Sequence, residues 1–492
     1  MLADDPGSSD RRSIIILCGL ACLVLAGLLV YSVTRSFAWD EGFHLLAAQL
    51  ILRGKRPYLD FFLAQTPLYA YWNAFWFRWF GDTWRTAHTF STLMTGGAFC
   101  LLTRFVYSRF PKSTWRLPVA VLAMLFVGVN TQVMEFGTLA QAYGVGLFGV
   151  AAAFCLAIRS VDRAGWHESA GAGFFAGAAA ACTLLTAPFA PVLFLWILWR
   201  NRVGGRLKKA IAFLAGGAVP FLPLFWLFVH GPQQVIFGAI KFHLFYRQVE
   251  WEGSTQHNLE VMIAWLDSGN ALLIMLLAAI GFVYIHSRSG WERERRQEFY
   301  LCAILTVVET AYLFVARPTF PRYYLFVVPF AGALAAVGFF AVSSFTISAR
   351  KPWHPTILLA SILIAGAIKD VYDTRDRYKW NDLREVAQKV NEVTSPNGLL
   401  WSDEFIYFLT RRPPPSGFEY DDTHKLILSP ELNAKLHIIP QAEVNQMIAK
   451  GKFDTIQSCD DEDVLKDMGL PGPYKQLQDL QDCYVYWNPK RP

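Results

Sequence analysis

The chain has 492 residues, of which 54% are hydrophobic and only 17% charged. A soluble protein carries nearer 25% charged residues, so this balance excludes an ordinary soluble globular chain. The net charge of +6 does not point to nucleic acid, because the basic residues gather in short loops between apolar stretches, as topology signals do.

Apolar stretches long enough to cross ~30 Å of hydrocarbon recur from Ile14 to Ile368. No alternating strand pattern suggests a barrel. The sequence predicts a polytopic α-helical membrane protein of about 11 spans: 13–33, 85–106, 117–134, 139–158, 170–184, 186–199, 210–229, 270–287, 299–316, 323–345 and 354–370. Arg11 and Arg12 precede the first run, but it is too long for a signal core and lacks a small-residue cleavage site, so it reads as an anchor. The stretch 170–199 is too long for one upright span, and Pro188 and Pro191 break it, which predicts a hairpin of two short helices.

Charge sets the orientation. With the N-terminus inside, the inner loops carry Arg109, Lys112 and Arg116, then Arg159 and Arg163, then the clusters around Arg200–Lys209 and Arg288–Arg296, and finally Arg350 and Lys351. The outer loops at 132–138 and near 185 carry no Lys or Arg. That asymmetry predicts a cytoplasmic N-terminus and an extracytoplasmic C-terminus.

Three segments then lie outside: 34–84, 230–269 and everything after about 371. In the first, Phe43–Leu52 and Pro67–Phe80 are too short or too polar-flanked to span, and both read as helices lying in the interface. A plain anchoring surface without chemistry fits the same pattern. From Tyr372 onward charge rises and apolar runs shorten. A helix over 382–393 and strands over 399–401, 426–428, 453–456 and 483–487 predict a small α/β domain at 371–492. Cys18, Cys22, Cys100, Cys155, Cys182 and Cys302 fall inside spans, whereas Cys459 and Cys483 lie in the outer domain, where an oxidising compartment permits pairing.

Asp40 and Glu41 stand just past the first span. A carboxylate at the lipid boundary is partly desolvated, which raises its pKa toward the range of a general base; a solvated loop acid is the plain alternative. Arg53, Lys55, Arg56 and Asp60 follow one helix later. Cations there suit a negatively charged head group, or simply snorkel to phospholipid phosphates. Glu135, in the short turn between the third and fourth spans, is either a second acid of the same pocket or a loop acid. Arg322, Tyr323 and Tyr324, with Arg317 close by, read as a phosphate ligand with interfacial donors, or as an aromatic belt with an anchoring Arg. Lys241, His243, Tyr246 and Arg247 in the second outer loop admit the same two readings. There is no phosphate-binding glycine loop, no CxxC pair, no HExxH and no tight His/Cys cluster. No metal ligand is assigned, and a divalent metal stays open.

Asp40-Glu41 after the first span resembles a known pattern when taken with Ala48–Gly54, Pro57-Tyr58-Leu59-Asp60, Gln65-Thr66-Pro67-Leu68-Tyr69-Ala70-Tyr71-Trp72, Phe80-Gly81 and Arg85. It is similar to the first outer loop of the glycosyltransferase C superfamily, in the branch of protein O-mannosyltransferases, aminoarabinose lipid A transferases and bacterial RgtA/B/C/D-like proteins. Arg322-Tyr323-Tyr324 with Pro329 resembles that group's entry to the penultimate helix. The likeness covers residues 10–370 and is specific in the first loop. It implies a transmembrane glycosyltransferase domain over 1–370 in a bacterial cytoplasmic (inner) membrane. That domain would move a sugar from a polyprenyl-phosphate donor to a glycan, lipid or protein acceptor on the outer face, with no cofactor required. It further implies Asp40 as general base and Glu135 as a second acid. One departure stands out: some relatives have a Lys before the Pro of the aromatic helix, and this chain has Gln65-Thr66-Pro67. Arg322 or the 53–56 cluster would then hold the donor phosphate. The rivals are a transporter or flippase of lipid-linked sugar, which would place acids midway along its helices, and a non-catalytic envelope-assembly protein.

Overall fold

The computed structural model describes residues 6–163, 165–201, 204–246, 254–268, 270–287, 292–316, 319–346, 351–375, 377–459, 474, 476–480 and 483–488. In chain order, α1 (Pro6–Thr34) carries the first apolar run, and α2 (Glu41–Leu52) and α3 (Leu68–Phe80) follow it within 34–84. Then come α4 (Trp84–Arg109), α5 (Arg116–Gly128), α6 (Thr131–Gly137), α7 (Tyr143–Asp162), α8 (His167–Cys182), α9 (Phe189–Arg200), α10 (Arg206–Ala218) and α11 (Leu222–His230). α12 (Pro232–Ile236) runs into a π-helical stretch, Phe237–Tyr246, and α13 (Ser254–Asp267), α14 (Ala271–Ser287), α15 (Arg293–Val315), α16 (Val328–Thr346) and α17 (Trp353–Asp373) follow. The remaining helices are α18 (Trp380–Val393), α19 (Glu404–Thr410), α20 (Pro430–Leu436) and α21 (Gln441–Ala449).

Most predicted spans fall on a single helix, but 117–134 covers α5 and α6, bent by 52°, and 210–229 covers α10 and α11. The stretch 170–199 is the expected hairpin, α8 and α9, with Pro188 as the N-cap of α9. Among the described residues, six helices are long and apolar enough to cross a bilayer, or eight if two bent pairs count as one span each. The figure of eleven is not reached by that measure for physical reasons. α8 and α9 have 16 and 12 residues, short of the ~20 a span needs, and α4 buries polar side chains such as Thr92, Thr95 and Thr103.

The chain forms two compact units. The first comprises 1–33, 88–222 and 250–373 and is a helical bundle. Lipid tails are as apolar as Leu, so helices in a bilayer are held by close packing and not by exclusion from water. Here small residues permit that approach. A Cβ at Gly338 on α16 would overlap the Leu277 carbonyl oxygen of α14, and one at Gly281 would overlap the Leu334 carbonyl. Phe154 then fills the centre, edge-on to Phe105 and Phe330 at 4.9 and 5.2 Å.

The second unit comprises 34–87, 223–249 and 374–492. The sequence boundary near 371 is linear, whereas this unit also gathers 34–87 and 223–249. Its four-stranded sheet has the order β1 (Leu400–Trp401), β2 (Thr455–Ser458), β4 (Cys483–Trp487), β3 (Gln476–Leu480). β1 is parallel to β2, and the other two pairings are antiparallel. The predicted strand at 426–428 is absent. Leu426 and Leu428 pack on a cluster of Phe62, Phe242 and Ile438 while Ile427 is 95% exposed, so the in–out alternation is real but no neighbouring strand pairs with it. β3 was not expected; its sequence, Gln-Leu-Gln-Asp-Leu, has few β-branched or aromatic residues.

A second correction concerns α2. Ten of its residues, Glu41 to Leu50, are buried, so it is a core helix and not one lying with a single face in lipid. α3 does present an apolar face, with Phe75, Trp79 and Phe80 all more than half exposed.

Cys459 and Cys483 are joined by a disulfide, linking the end of β2 to the start of β4. Closing a loop of this length stabilises a domain by roughly 3 kcal/mol. Cys459→Ser and Cys483→Ser are therefore expected to speed proteolysis within 374–492, as is reductant on the unaltered protein. Identical cleavage rates would show that the bond contributes nothing to the domain.

Candidate active site

In the second unit, the turn that carries Asp40 is set by aromatic residues on either side. The Phe37 ring lies edge-on to Trp380 and Phe405, both at 4.9 Å, and the Phe37 N–H donates to the Tyr378 carbonyl at 2.7 Å. Trp39 stacks edge-on to Phe405 at 5.5 Å. α2 then lies on α19, where a Cβ at Gly42 would meet Phe405 N at 2.9 Å. Deeper along the helix, Gln49 Nε2 donates to Asp82 Oδ2 at 3.2 Å and to the Phe408 carbonyl at 3.4 Å. Asp40 is half-buried at the N-cap of α2, and its carboxylate does not cap the helix. The helix N-terminus favours negative charge there.

Glu41 differs from its neighbour. It is fully buried, and its Oε1 accepts the Ala38 N–H at 3.2 Å. That bond closes the 38–41 turn and gives Glu41 a part in holding Asp40 in place.

The basic cluster is mostly engaged. Arg56 grips Asp60 through Nε at 2.9 Å and Nη2 at 2.8 Å, a bidentate pair, while the Arg56 N–H donates to Oδ2 at 2.7 Å. These hydrogen bonds hold the Asp60 carboxyl below the usual carboxylate range. Arg53 Nη2 donates to the Arg411 carbonyl at 2.7 Å, and Arg411 in turn pairs with Asp82 at 2.9 Å. Lys55 is exposed, its N–H donates to the Leu50 carbonyl at 3.0 Å, and its side chain makes no hydrogen bond or ion pair among the described residues. Its charge acts on Asp60 and Glu419 without pairing with either.

His243 bonds the Ala64 carbonyl, and the Tyr58 hydroxyl donates to the Gln65 carbonyl. Both hold the loop that leads into α3. Arg247 and Arg317 lie outside the described residues. His44 on α2 is buried, and burial pushes its imidazole down to about 3, so it is neutral, edge-on to Tyr69 at 5.2 Å.

In the first unit, α6 carries Glu135 and packs beside the 3-10 turn Pro321–Phe326. Gln132 Nε2 donates to the Pro321 carbonyl at 3.0 Å, joining the two. Glu135, Arg322 and Tyr323 are half-buried. The Arg322 guanidinium lies over Phe320 at 4.6 Å and Tyr323 at 5.9 Å. Tyr324 departs from its expected place as an interfacial donor: it is 0% exposed, stacked on Trp265 at 4.5 Å. The short turn points it into the bundle while its neighbours stay near the surface.

Several polar residues escaped the sequence reading. Asn73 and Thr66 are buried in the second unit, and their side chains have no hydrogen-bond partner among the described residues. Buried polar groups are rarely left so. Glu309, inside α15, is 1% exposed with neither carboxyl oxygen partnered. Its signal was present, as a lone acid in the predicted span 299–316. It is an acid inside a span, the placement the transporter reading calls for.

Glu404 and Glu419 carried no sequence signal, because their burial is tertiary. Burial, and then the nearby Asp421 carboxylate, push Glu404 up to about 8; burial pushes Glu419 up to about 7. Both folded-state values lie above the unfolded ones. Their contribution to stability is therefore complete below the ordinary carboxylate range and is lost as pH rises toward 8. The second unit is expected to melt at progressively lower temperature from pH 5 to pH 8.5, with Glu404→Gln flattening that slope. A slope unchanged by the substitution would remove Glu404 as its source.

Among the described residues, no three His, Cys, Asp or Glu side chains are grouped to hold a metal, and none is assigned one.

The architecture is that of a polytopic α-helical membrane protein with a small sheet in its second unit, the fold class expected from the sequence. Its particular likeness is to ArnT from Cupriavidus metallidurans. The apo ArnT structure superposes with a TM-score of 0.70 at 12% identity, covering 98% of this chain and 100% of ArnT. ArnT bound to undecaprenyl phosphate matches with a TM-score of 0.67 at 13% identity, covering 97% and 99%. No family model and no curated protein matches the sequence, so the likeness is one of fold.

Proposed function

We propose that this chain is an integral-membrane glycosyltransferase that moves a sugar from a polyprenyl-phosphate donor to an acceptor hydroxyl on the extracytoplasmic face of a bacterial inner membrane. The observation that carries the reading is the full-length fold likeness to ArnT, a protein solved with undecaprenyl phosphate bound. The position of Asp40 at the start of a buried helix agrees with it. In the step proposed, the acceptor hydroxyl gives its proton to the Asp40 carboxylate as its oxygen bonds the anomeric carbon. The bond from that carbon to the phosphate oxygen breaks, and polyprenyl phosphate leaves with the electron pair. Lys55 supplies positive charge for that leaving group.

The test is reconstitution in proteoliposomes with a panel of hexosyl and pentosyl polyprenyl phosphates, measuring release of free polyprenyl phosphate. Release that depends on an added acceptor supports transfer. Movement of intact donor between leaflets without release would support the transporter reading instead, the one that a buried intramembrane acid such as Glu309 favours. Mass analysis of envelope glycans in a deletion strain would then name the sugar and the acceptor.

A further inference from the structure

A groove of about 760 Å3 opens between α9, α10 and α15, with a wall that includes Leu195, Trp196, Trp199, Ala210 and Ile304. Its volume lies within the ~300–1,000 Å3 typical of ligand pockets. Arg206, at the first residue of α10, is its one charged lining residue. Arg206 is exposed and makes no hydrogen bond or ion pair among the described residues. Two more cations stand at the same end: Lys208 is exposed, and the Arg200 guanidinium lies over Trp196 and Trp199 at 5.9 and 5.8 Å. The next basic residue, Lys209, has its charge committed, donating to the Ser160 carbonyl and to Asn201 Oδ1.

The length of α9 adds an independent argument. Its 12 residues rise only about 18 Å, well short of ~30 Å of hydrocarbon. Something apolar must fill the remaining depth beside it, and the rim residues Leu195, Trp199 and Leu207 are exposed to receive it. The required occupant is an apolar chain with a negative head at the Arg206 end. Basic pockets between membrane helices bind anionic lipid head groups in this way.

We propose that this groove holds one anionic phospholipid, its acyl chain along Leu195, Ala210 and Ile304 and its phosphate on Arg206. The test is native mass spectrometry of the purified full-length protein with phosphatidylglycerol or phosphatidylcholine of matched chains. Phosphatidylglycerol is expected to be retained in preference to phosphatidylcholine, and Arg206→Gln to weaken its retention about fivefold. Ala210→Trp and Ile304→Trp, two independent ways to fill the groove, are expected to abolish retention. Each is checked for folding by its melting temperature in phosphatidylcholine nanodiscs, and either one that folds suffices. Equal retention of both lipids, or full retention of phosphatidylglycerol in a filled groove, would overturn the proposal. Displacement of phosphatidylglycerol by undecaprenyl phosphate in an Arg206-dependent way would also overturn it, and would give the groove to the isoprenoid carrier.

Discussion

Asp40→Asn is expected to lower sugar transfer by about 10²–10⁴-fold, the usual contribution of a positioned general base, with protein level unchanged and melting temperature nearly so. The separation of the two effects follows from the packing. Asp40 is half-buried at the N-cap of α2, so an isosteric amide keeps its volume and gives up only the ~0.3–1 kcal/mol a helix N-terminus lends a negative charge. Glu41→Gln makes the contrast. Glu41 is fully buried and takes the Ala38 N–H, so the change weakens the 38–41 turn and lowers stability together with activity. A transfer assay run beside thermal unfolding separates the pair. Wild-type transfer by Asp40→Asn would end the assignment of that carboxylate as the base.

Gly338→Leu is expected to prevent accumulation of monodisperse protein, as read by fluorescence-detected size exclusion. Overpacking a core commonly costs about 1–3 kcal/mol because side chains can shift. Here the first added carbon meets the backbone carbonyl of Leu277, which cannot move without parting α14 from α16. Gly281→Leu would fail for the mirror-image reason, against the Leu334 carbonyl. A Gly338→Leu protein of normal profile would show that these helices are not in close apposition.

The hydrophobic runs made the helices legible, and Pro188 with Pro191 made the α8–α9 hairpin legible, because span length and proline sterics are local rules. The helix at Trp380–Val393 was readable for the same reason. What was not readable was tertiary. Both short apolar runs of 34–84 form helices, but only α3 keeps an exposed apolar face, whereas α2 is buried against α3 and α19. The positive cluster at 53–56 announced charge, but only the folded chain shows Arg56 spent on Asp60 and Arg53 on the Arg411 carbonyl. Tyr323 and Tyr324 are adjacent in sequence, yet a 3-10 turn sends one to a half-buried position and the other beneath Trp265. Glu404 and Glu419 owe their raised values to burial by distant segments, which no window of sequence reports.

The seating of α2 against α19 has a kinetic corollary for biogenesis. One partner is translated near the start of the chain and the other near its end, so at about 5–20 residues per second a nascent α2 waits roughly 20 to 70 s for the surface that covers it. Throughout that interval the face of Phe43–Leu50 that α19 covers is unsheltered, with only α3 packed beside it. Truncating the gene before Glu404 should therefore yield a chain that engages chaperones and is degraded.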